Sequence, residues 1–252
     1  MRRTPRFLAA ACAVACACFA TTSHAYPAIN LAWNDCIDGA TAALDKTFAC
    51  DTNNGSDVMF ASFIAPEGMN QFISVEIYFE VQQTKGGATV PWWQVKGAGR
   101  CRNGALIVNG DFTAASGACD ASAWSTPAVG GIGSVQNDSP VPGHSMGNGV
   151  VAVPAANAVA LTAGVHYYGV KLVLSHAKTV GTGSCAGCPT SWCLRLNRLR
   201  VVQPAGAPGG NVDITAIGWR AHVTYQSGSE SACYGTSPTH RFTWGSVKAL
   251  YR

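Results

Sequence analysis

Residues 72–81, FISVEIYFEV, alternate between apolar and polar side chains with a period of two. One face of the extended chain carries the apolar residues Ile73, Val75, Ile77, Phe79 and Val81. The opposite face carries Ser74, Glu76 and Glu80. Such alternation is typical of a strand with one buried and one solvated face. The stretch therefore predicts a half-buried strand.

The same pattern recurs along the chain, in HYYGVKLVL (166–174), WRAHVTYQ (219–226), VMFASFI (58–64), ALIVN (105–109), GVVAVP (149–154) and LRLNRLRVV (194–202). Turn sequences such as NNGS, KGGA and PAGAPGGN separate these runs, and no stretch keeps a helical period. We expect an all-β fold, an antiparallel β-sandwich with the jelly roll as one variant. One or two short helices are predicted, at 40–46 and 245–252, and residues 126–143 are predicted to be a long loop.

The N-terminus has the layout of a secretory signal peptide. Three arginines precede an uncharged apolar stretch, and Ser23-His24-Ala25 offers a cleavage site. We therefore divide the chain into a signal peptide, 1–25, and a single β-sandwich domain, 26–252. A twin-arginine signal and a lipidated Cys16 are alternatives. No later apolar run is long enough to predict a transmembrane helix.

Removal of residues 1–25 leaves a chain of nearly balanced charge. Of the 17 Lys+Arg, three lie in the signal peptide, so 14 remain against 13 Asp+Glu. This balance argues against nucleic acid as a partner. We predict a secreted protein, located outside the cell or in the cell envelope.

Eight cysteines remain after cleavage: Cys36, Cys50, Cys101, Cys119, Cys185, Cys188, Cys193 and Cys233. An even number in an exported chain predicts up to four disulfides. We expect Cys36 to pair with Cys50 and Cys101 with Cys119, and the last four to pair among themselves. A zinc site made of those last four thiols is the alternative. Both interpretations place Cys233 beside CAGCPTSWC, residues 185–193.

The segment GHSMG, residues 143–147, matches the G-x-S-x-G motif of serine hydrolases. Asp213 and His222 or His240 follow in the order of a catalytic triad. However, prolines precede the motif and a strand pattern follows it, which opposes the strand–turn–helix setting that the motif requires.

Residues 50–57, CDTNNGSD, present the oxygen donors Asp51, Asn53 and Asp57, which suggests a calcium loop. The spacing departs from an EF-hand, and Asn54-Gly55 also predicts a type I′ hairpin joining KTFAC to VMFASFI. No cofactor other than calcium is predicted.

Two further features concern surfaces. Trp92 and Trp93 are candidates for stacking on a sugar ring, although adjacent tryptophans on a strand would place one of them in the core. Arg195, Arg198 and Arg200 would share one solvated face if the strand has a bulge near Asn197.

Four pieces of the sequence, INLAWNDC (29–36), KTFACDTNNGS (46–56), AGVHYYGVKLVL (163–174) leading into CAGC, and TWGSVKALYR (243–252), resemble a group of secreted bacterial β-rich proteins of no known activity. The resemblance implies an extracellular or envelope setting and assigns no functional residues.

The function predicted from the sequence is a secreted or cell-surface binding or structural module. Loops and open sheet edges suit contacts with carbohydrate or protein. The alternatives are a secreted hydrolase, using Ser145 or a metal-bound water, and a calcium-stabilised adhesin-like module. An enzyme would bring His, Asp and Ser side chains into one pocket, whereas a binding module would present exposed aromatics or a flat polar face.

Overall fold

A computed structural model describes residues 28–84, 86–113, 115, 117–124, 128–215 and 220–228. Within these ranges there are two short 3-10 helices, Pro91–Trp93 and Ala155–Asn157. The strands of the same ranges are β1 (Ile29–Trp33), β2 (Asp45–Lys46), β3 (Ser56–Ile64), β4 (Ser74–Gln83), β5 (Leu106–Asn109), β6 (Ala121–Ser122), β7 (Val129–Asn137), β8 (His144–Ala152), β9 (His166–Ser175), β10 (Trp192–Val202), β11 (Val212–Ile214) and β12 (His222–Tyr225).

The strands form two sheets that pack face to face, which confirms the predicted β-sandwich. The five-stranded sheet has the order β1-β3-β9-β5, with β6 paired to β9. The seven-stranded sheet has the order β2-β12-β10-β4-β8-β7, with β11 paired to β10. Pairing is antiparallel except between β2 and β12 and between β6 and β9. Because β4 lies between β8 and β10, the stretch 72–81 supplies an interior strand.

The core lies between the sheets and follows the predicted alternation. Val75, Ile77, Phe79 and Val81 of β4 are at most 4% exposed. Burial of each such side chain contributes about 1.5–3 kcal/mol to the free energy of unfolding. The pairing of β10 with β4 shifts register between Leu196 and Arg198. This irregularity confirms the bulge near Asn197.

Three sequence predictions of local structure are wrong, the first two of them a helix and a loop. Residues 40–46 form no helix: Ala43 bridges to Trp33, and Asp45 and Lys46 form β2, so the backbone groups of this segment bond to sheet edges. The predicted loop 126–143 contains β7, which pairs with β8 from Val129↔Ala152 to Asn137↔Ser145. Three glycines in β7 weaken its strand signal, because glycine is depleted in strands.

The predicted hairpin around Asn54-Gly55 is also wrong. Gly55 has a positive φ of 88°, but Asn54 is not among the positive-φ residues that a type I′ turn requires. In addition, β3 pairs with β1 and β9 and does not pair with β2.

The disulfides connect segments that are distant in sequence. The bonds are Cys36–Cys119, Cys50–Cys188 and Cys101–Cys185, with sequence separations of 83, 138 and 84 residues. Cys193 is also disulfide-bonded. The predicted pairs Cys36–Cys50 and Cys101–Cys119 are therefore wrong, and so is the prediction that the last four cysteines pair among themselves, because the fold and not sequence proximity decides which cysteines meet. The zinc alternative is wrong as well, since Cys185 and Cys188 bond to partners outside the proposed ligand set. These closed bonds indicate an oxidising environment.

Several predictions lie outside the described residues: the signal peptide 1–25, Cys16, Cys233, His240 and the helix at 245–252. In the described part of the chain, no helix has the length and apolar character needed to cross a membrane.

Candidate functional site

Two of the three predicted calcium residues, Asn53 and Asp57, have other partners in the structure. Asn53 Oδ1 accepts hydrogen bonds from the backbone N–H groups of Thr179 (2.7 Å) and Val180 (3.0 Å). Both lone pairs of that oxygen are therefore in use. The buried carboxylate of Asp57 bonds to His176 Nε2 at 2.9 Å and lies 3.5 Å from Lys46 Nζ. Asp51, Asn53 and Asp57 consequently do not form the predicted calcium loop.

Asp57 is instead the centre of a buried polar cluster. Tyr225 donates its hydroxyl proton to Asp57 Oδ2 over 3.1 Å. Burial, followed by the charge of Asp57, raises the pKa of Tyr225 well above its usual value. The His176 ring stacks on Phe48 with a centroid distance of 3.8 Å. These contacts tie β3, β12 and the end of β9 together, so the cluster is structural.

Trp92 and Trp93 are both buried, at 0% and 6% exposure. They form a 3-10 helix, in which neighbouring side chains are about 120° apart, so both can face the core. Trp92 stacks on Tyr225, and Trp93 lies 4.9 Å from Trp192 between ring centroids. The prediction of a sugar-binding platform at these residues is therefore wrong.

Arg102 contacts the 3-10 helix through the ring and the backbone of Trp92. Its guanidinium lies 3.6 Å from the Trp92 ring centroid. It donates hydrogen bonds to the carbonyl oxygens of Trp92 (2.9 Å), Ala177 (3.1 Å) and Ser175. Burial lowers the pKa of Arg102 to about 10.

Ser145 lies on β8, which is hydrogen-bonded to β4 on one side and to β7 on the other. The residue is 1% exposed. Its hydroxyl donates to Asn137 Oδ1 at 3.1 Å and lies 3.2 Å from Thr89 Oγ1. Two strands, β4 and β10, separate β8 from the β12 strand that carries His222. Asp213 is paired with Arg198 and Arg200. The structure therefore does not bring Asp213 or His222 to Ser145, and His240 lies outside the described residues.

Sequence reasoning missed a polar cluster around His166 of β9. Its side chain is only 13% exposed. Ser62 Oγ lies 2.8 Å from Nε2 and Asn30 Nδ2 lies 3.3 Å from the same atom, while Asp38 Oδ2 lies 3.7 Å from Nδ1. Burial, partly offset by Asp38 and Asp120, lowers the pKa of His166. Residues 30, 38, 62 and 166 come from separate segments, so no spacing in the sequence could reveal the cluster.

The order Asp38–His166–Ser62 has the composition of a catalytic triad but not its geometry. Ser62 is fully buried at 0% exposure, so a substrate has no path to its hydroxyl. The Asp38 oxygen is also beyond hydrogen-bond distance of the ring. The cluster does, however, contain the Cys36–Cys119 disulfide, with Cys36 Sγ 3.7 Å from His166 Nε2.

The outer face of the seven-stranded sheet carries charged side chains on β4, β8 and β10. The Arg198 guanidinium covers the Tyr78 ring at 3.8 Å from its centroid. Glu80 bonds to His144 Nδ1 at 2.5 Å, and Asp213 lies 3.0 Å from Arg200 Nε. Charges on this face are therefore largely paired with one another.

Exposed apolar side chains are concentrated at one edge of the sandwich. Among the described residues, the large apolar side chains that are exposed are Ile107 (50%), Val129 (80%), Val141 (39%), Met146 (44%) and Val150 (39%). Four of them belong to the β7–β8 hairpin, and Ile107 belongs to β5, which lies against β7. We call these five side chains the hairpin surface.

The free edge of β7 is not protected by charge. β7 is the last strand of its sheet, and its nine residues, VGGIGSVQN, include no charged residue and no proline. Lysine, proline and inward-facing charges are the usual means of preventing an edge strand from pairing with another chain. A bulge at Gly133 is the protective feature that β7 does have.

Comparison of the chain with models of protein families finds no match, and comparison with curated proteins finds none either. The resemblance to secreted bacterial proteins therefore stays a prediction.

Proposed function

We propose that this chain is a secreted, disulfide-stapled binding module that contacts another protein through the hairpin surface. The observation that carries the proposal is the concentration of exposed apolar side chains on the β7–β8 hairpin and β5. Exposed apolar side chains that gather in one region of a protein are candidates for an interaction site. The uncharged edge of β7 adds unpaired backbone groups to the same surface.

A protein partner fits this surface better than a carbohydrate. Sugar rings stack on exposed aromatic faces, and none of the described aromatic residues is exposed. Tyr78, the aromatic residue on the outer face, already stacks against Arg198. Valine, isoleucine and methionine instead suit the apolar core of a protein interface.

Enzymatic alternatives have less support. Ser145 and Ser62, the serines considered as nucleophiles, are 1% and 0% exposed. A hydrolase needs a nucleophile that a substrate can reach.

Site-specific photo-crosslinking tests the proposal. A photoreactive residue replaces Met146 in the protein produced by the cells that make it, and the matched control carries the same residue at exposed Ala163, in the turn before β9 and outside the hairpin. We expect a discrete protein adduct from position 146 and none from position 163. Val129→Lys should remove the adduct, because it places a charge in the apolar patch.

Binding of the protein to a glycan array tests the alternative, a carbohydrate ligand. Equal adducts from positions 146 and 163, or glycan binding unaffected by Val129→Lys, would overturn the assignment of the hairpin surface to a protein partner.

A further inference from the structure

We propose that Asn54-Gly55, in the loop before β3, is a self-modification site at which water converts the asparagine into isoaspartate and aspartate, and that the isoaspartate loosens the contact of this loop with His176. The site shares no residue with the hairpin surface. It therefore goes beyond the proposed binding function and does not depend on it.

The chain contains four Asn-Gly pairs, which begin at Asn54, Asn103, Asn109 and Asn148. In such a pair the backbone nitrogen of the glycine can attack the side-chain carbonyl carbon of the asparagine, because the glycine has no Cβ to block the approach. The attack requires an asparagine amide that can rotate toward the next peptide group and a glycine N–H that is not held elsewhere. The four pairs are equal candidates in the sequence, but their surroundings differ in the structure.

Asn54 and Gly55 are both exposed. Of the hydrogen bonds between described residues, none uses the Asn54 side-chain amide or the Gly55 N–H, since Asn54 bonds through its backbone N–H and its carbonyl oxygen. The preceding Asn53 is fixed, because its Oδ1 accepts two backbone N–H groups and its Nδ2 donates to Val180 O at 3.0 Å. The loop is therefore anchored at Asn53, while the Asn54 amide is able to rotate.

The pair that begins at Asn103 is held at both of its reacting groups. Asn103 Oδ1 accepts the Gly97 N–H at 3.0 Å. The Gly104 N–H donates to the carbonyl oxygen of Val95 at 2.9 Å. Cyclisation at Asn103 therefore requires both hydrogen bonds to break.

The remaining two pairs begin on strands, at Asn109 of β5 and Asn148 of β8. Asn109 Oδ1 accepts the Asp111 N–H at 3.1 Å, and the following Gly110 is buried. Asn148 Oδ1 accepts from both the N–H and the hydroxyl of Ser134, each at 2.9 Å. Cyclisation at these sites first requires local opening of a paired strand.

The reaction at Asn54 is balanced by water alone. The Gly55 nitrogen loses its proton and bonds to Cγ of Asn54 while the Cγ–Nδ2 bond breaks, which releases ammonia and closes a succinimide ring. Water then opens the ring at Cγ to give aspartate, or at the backbone carbonyl carbon to give isoaspartate. Because base removes the Gly55 proton, the rate should rise with pH.

Isoaspartate changes the backbone where the loop contacts His176. It inserts a methylene into the chain before Gly55 and turns the backbone carbonyl of residue 54 into a carboxylate. In the unmodified chain that carbonyl oxygen accepts from His176 Nδ1 at 3.0 Å, and Gly55 O accepts the His176 backbone N–H at 3.0 Å. One bond fixes the ring and the other fixes the backbone of the same residue, so the lengthened chain loses at least one of them.

Peptide mass spectrometry of the purified protein tests the site after incubation at mildly alkaline pH, with a second sample reduced and held in denaturant. In the native protein we expect Asn54 to deamidate about tenfold faster than Asn103, Asn109 or Asn148, because hydrogen bonds must break at those three. In denaturant the four rates should converge. A native rate at Asn54 no higher than at the other three, or the same preference for Asn54 in denaturant, would overturn the assignment.

Variants separate the modification from its structural effect. Asn54→Gln is the matched control, since the longer glutamine side chain cyclises far more slowly, and freshly prepared Asn54→Asp supplies the charge without the inserted methylene. Hydrogen exchange of the His176 N–H should become faster in aged wild-type protein, but stay unchanged in aged Asn54→Gln and in fresh Asn54→Asp. Aged wild-type protein that contains isoaspartate and still exchanges like aged Asn54→Gln would contradict the predicted loss of the loop contact.

Discussion

Asp138 closes the turn between β7 and β8 through hydrogen bonds to one carboxylate oxygen. Its Oδ1 accepts from Thr89 N (2.6 Å), Thr89 Oγ1 (2.8 Å) and Gly143 N (2.9 Å). The slight burial of Asp138 raises its pKa, but these hydrogen bonds outweigh that effect and lower the pKa overall. The carboxylate therefore stabilises the fold above the unfolded-state pKa of about 4, and this stabilisation is lost as the pH falls through the lower folded-state pKa.

Asp138→Asn should lower the free energy of unfolding by about 1 kcal/mol at neutral pH, because it removes the charge that strengthens these bonds. The effect stays small since the residue is exposed and solvent screens its charge. The change is measured by denaturant unfolding of the variant and the wild type at neutral pH and at a pH below the folded-state pKa of Asp138. The difference in the free energy of unfolding between the two proteins should disappear at the acidic pH. Exposed Glu67→Gln is the control, with little expected change at either pH. A loss of equal size at both pH values would show that the charge of Asp138 is unimportant.

Arg102 is 1% exposed, and its guanidinium geometry is specific to arginine. Arg102→Lys keeps the charge but cannot reach the carbonyl oxygens of Trp92, Ala177 and Ser175 together. We expect the free energy of unfolding to fall by about 3 kcal/mol, whereas Arg100→Lys at an exposed position should change it by less than about 0.5 kcal/mol. Denaturant unfolding of the two variants compares them directly. Similar values for both would mean that the buried contacts of Arg102 add nothing.

Strands differ in how clearly the sequence reveals them. β4 could be predicted because each alternate residue from Val75 to Val81 is apolar and faces the core. β7 could not be predicted in this way, because its three glycines interrupt any alternation. It forms a strand because it pairs with β8 along its length. The same reasoning applies to the 3-10 helix at Pro91–Trp93, which is too short to have a period.

Glycine at position 147 has a packing role in β8. A Cβ added there would lie 2.6 Å from Cε2 of the buried Phe79 ring, whereas a Cβ on Gly131 of β7 would meet nothing within 4 Å. Gly147→Ala should therefore destabilise the protein by about 1–3 kcal/mol. Gly131→Ala should be neutral or slightly stabilising, because it restricts the unfolded chain. Thermal unfolding separates the two variants, and equal melting temperatures would contradict the close packing of β8 on Phe79.

At the scale of the whole molecule, the sequence predicted the layer architecture but not the cysteine pairing. Alternation is a local property, so it could be recognised within each strand. Pairing depends on which loops the two sheets bring together, and CAGC illustrates this: Cys185 and Cys188, three residues apart, bond to Cys101 and Cys50 in two different loops. The cluster at His166 was hidden for the same reason, since β1, β3 and β9 meet only in the folded sheet.

This topology predicts the disulfide-linked peptides of the protein. Proteolysis without reduction should release fragments joining Cys36 to Cys119, Cys50 to Cys188 and Cys101 to Cys185. Cys50→Ser/Cys188→Ser should lower the free energy of unfolding by about 2–5 kcal/mol, since the bond constrains the unfolded chain even though Cys101–Cys185 already shortens the loop that it closes. Mass spectrometry of the fragments and denaturant unfolding of the variant measure both effects. A fragment joining Cys36 to Cys50 would contradict this pairing, because it would leave Cys188 of the CAGC loop without its partner Cys50.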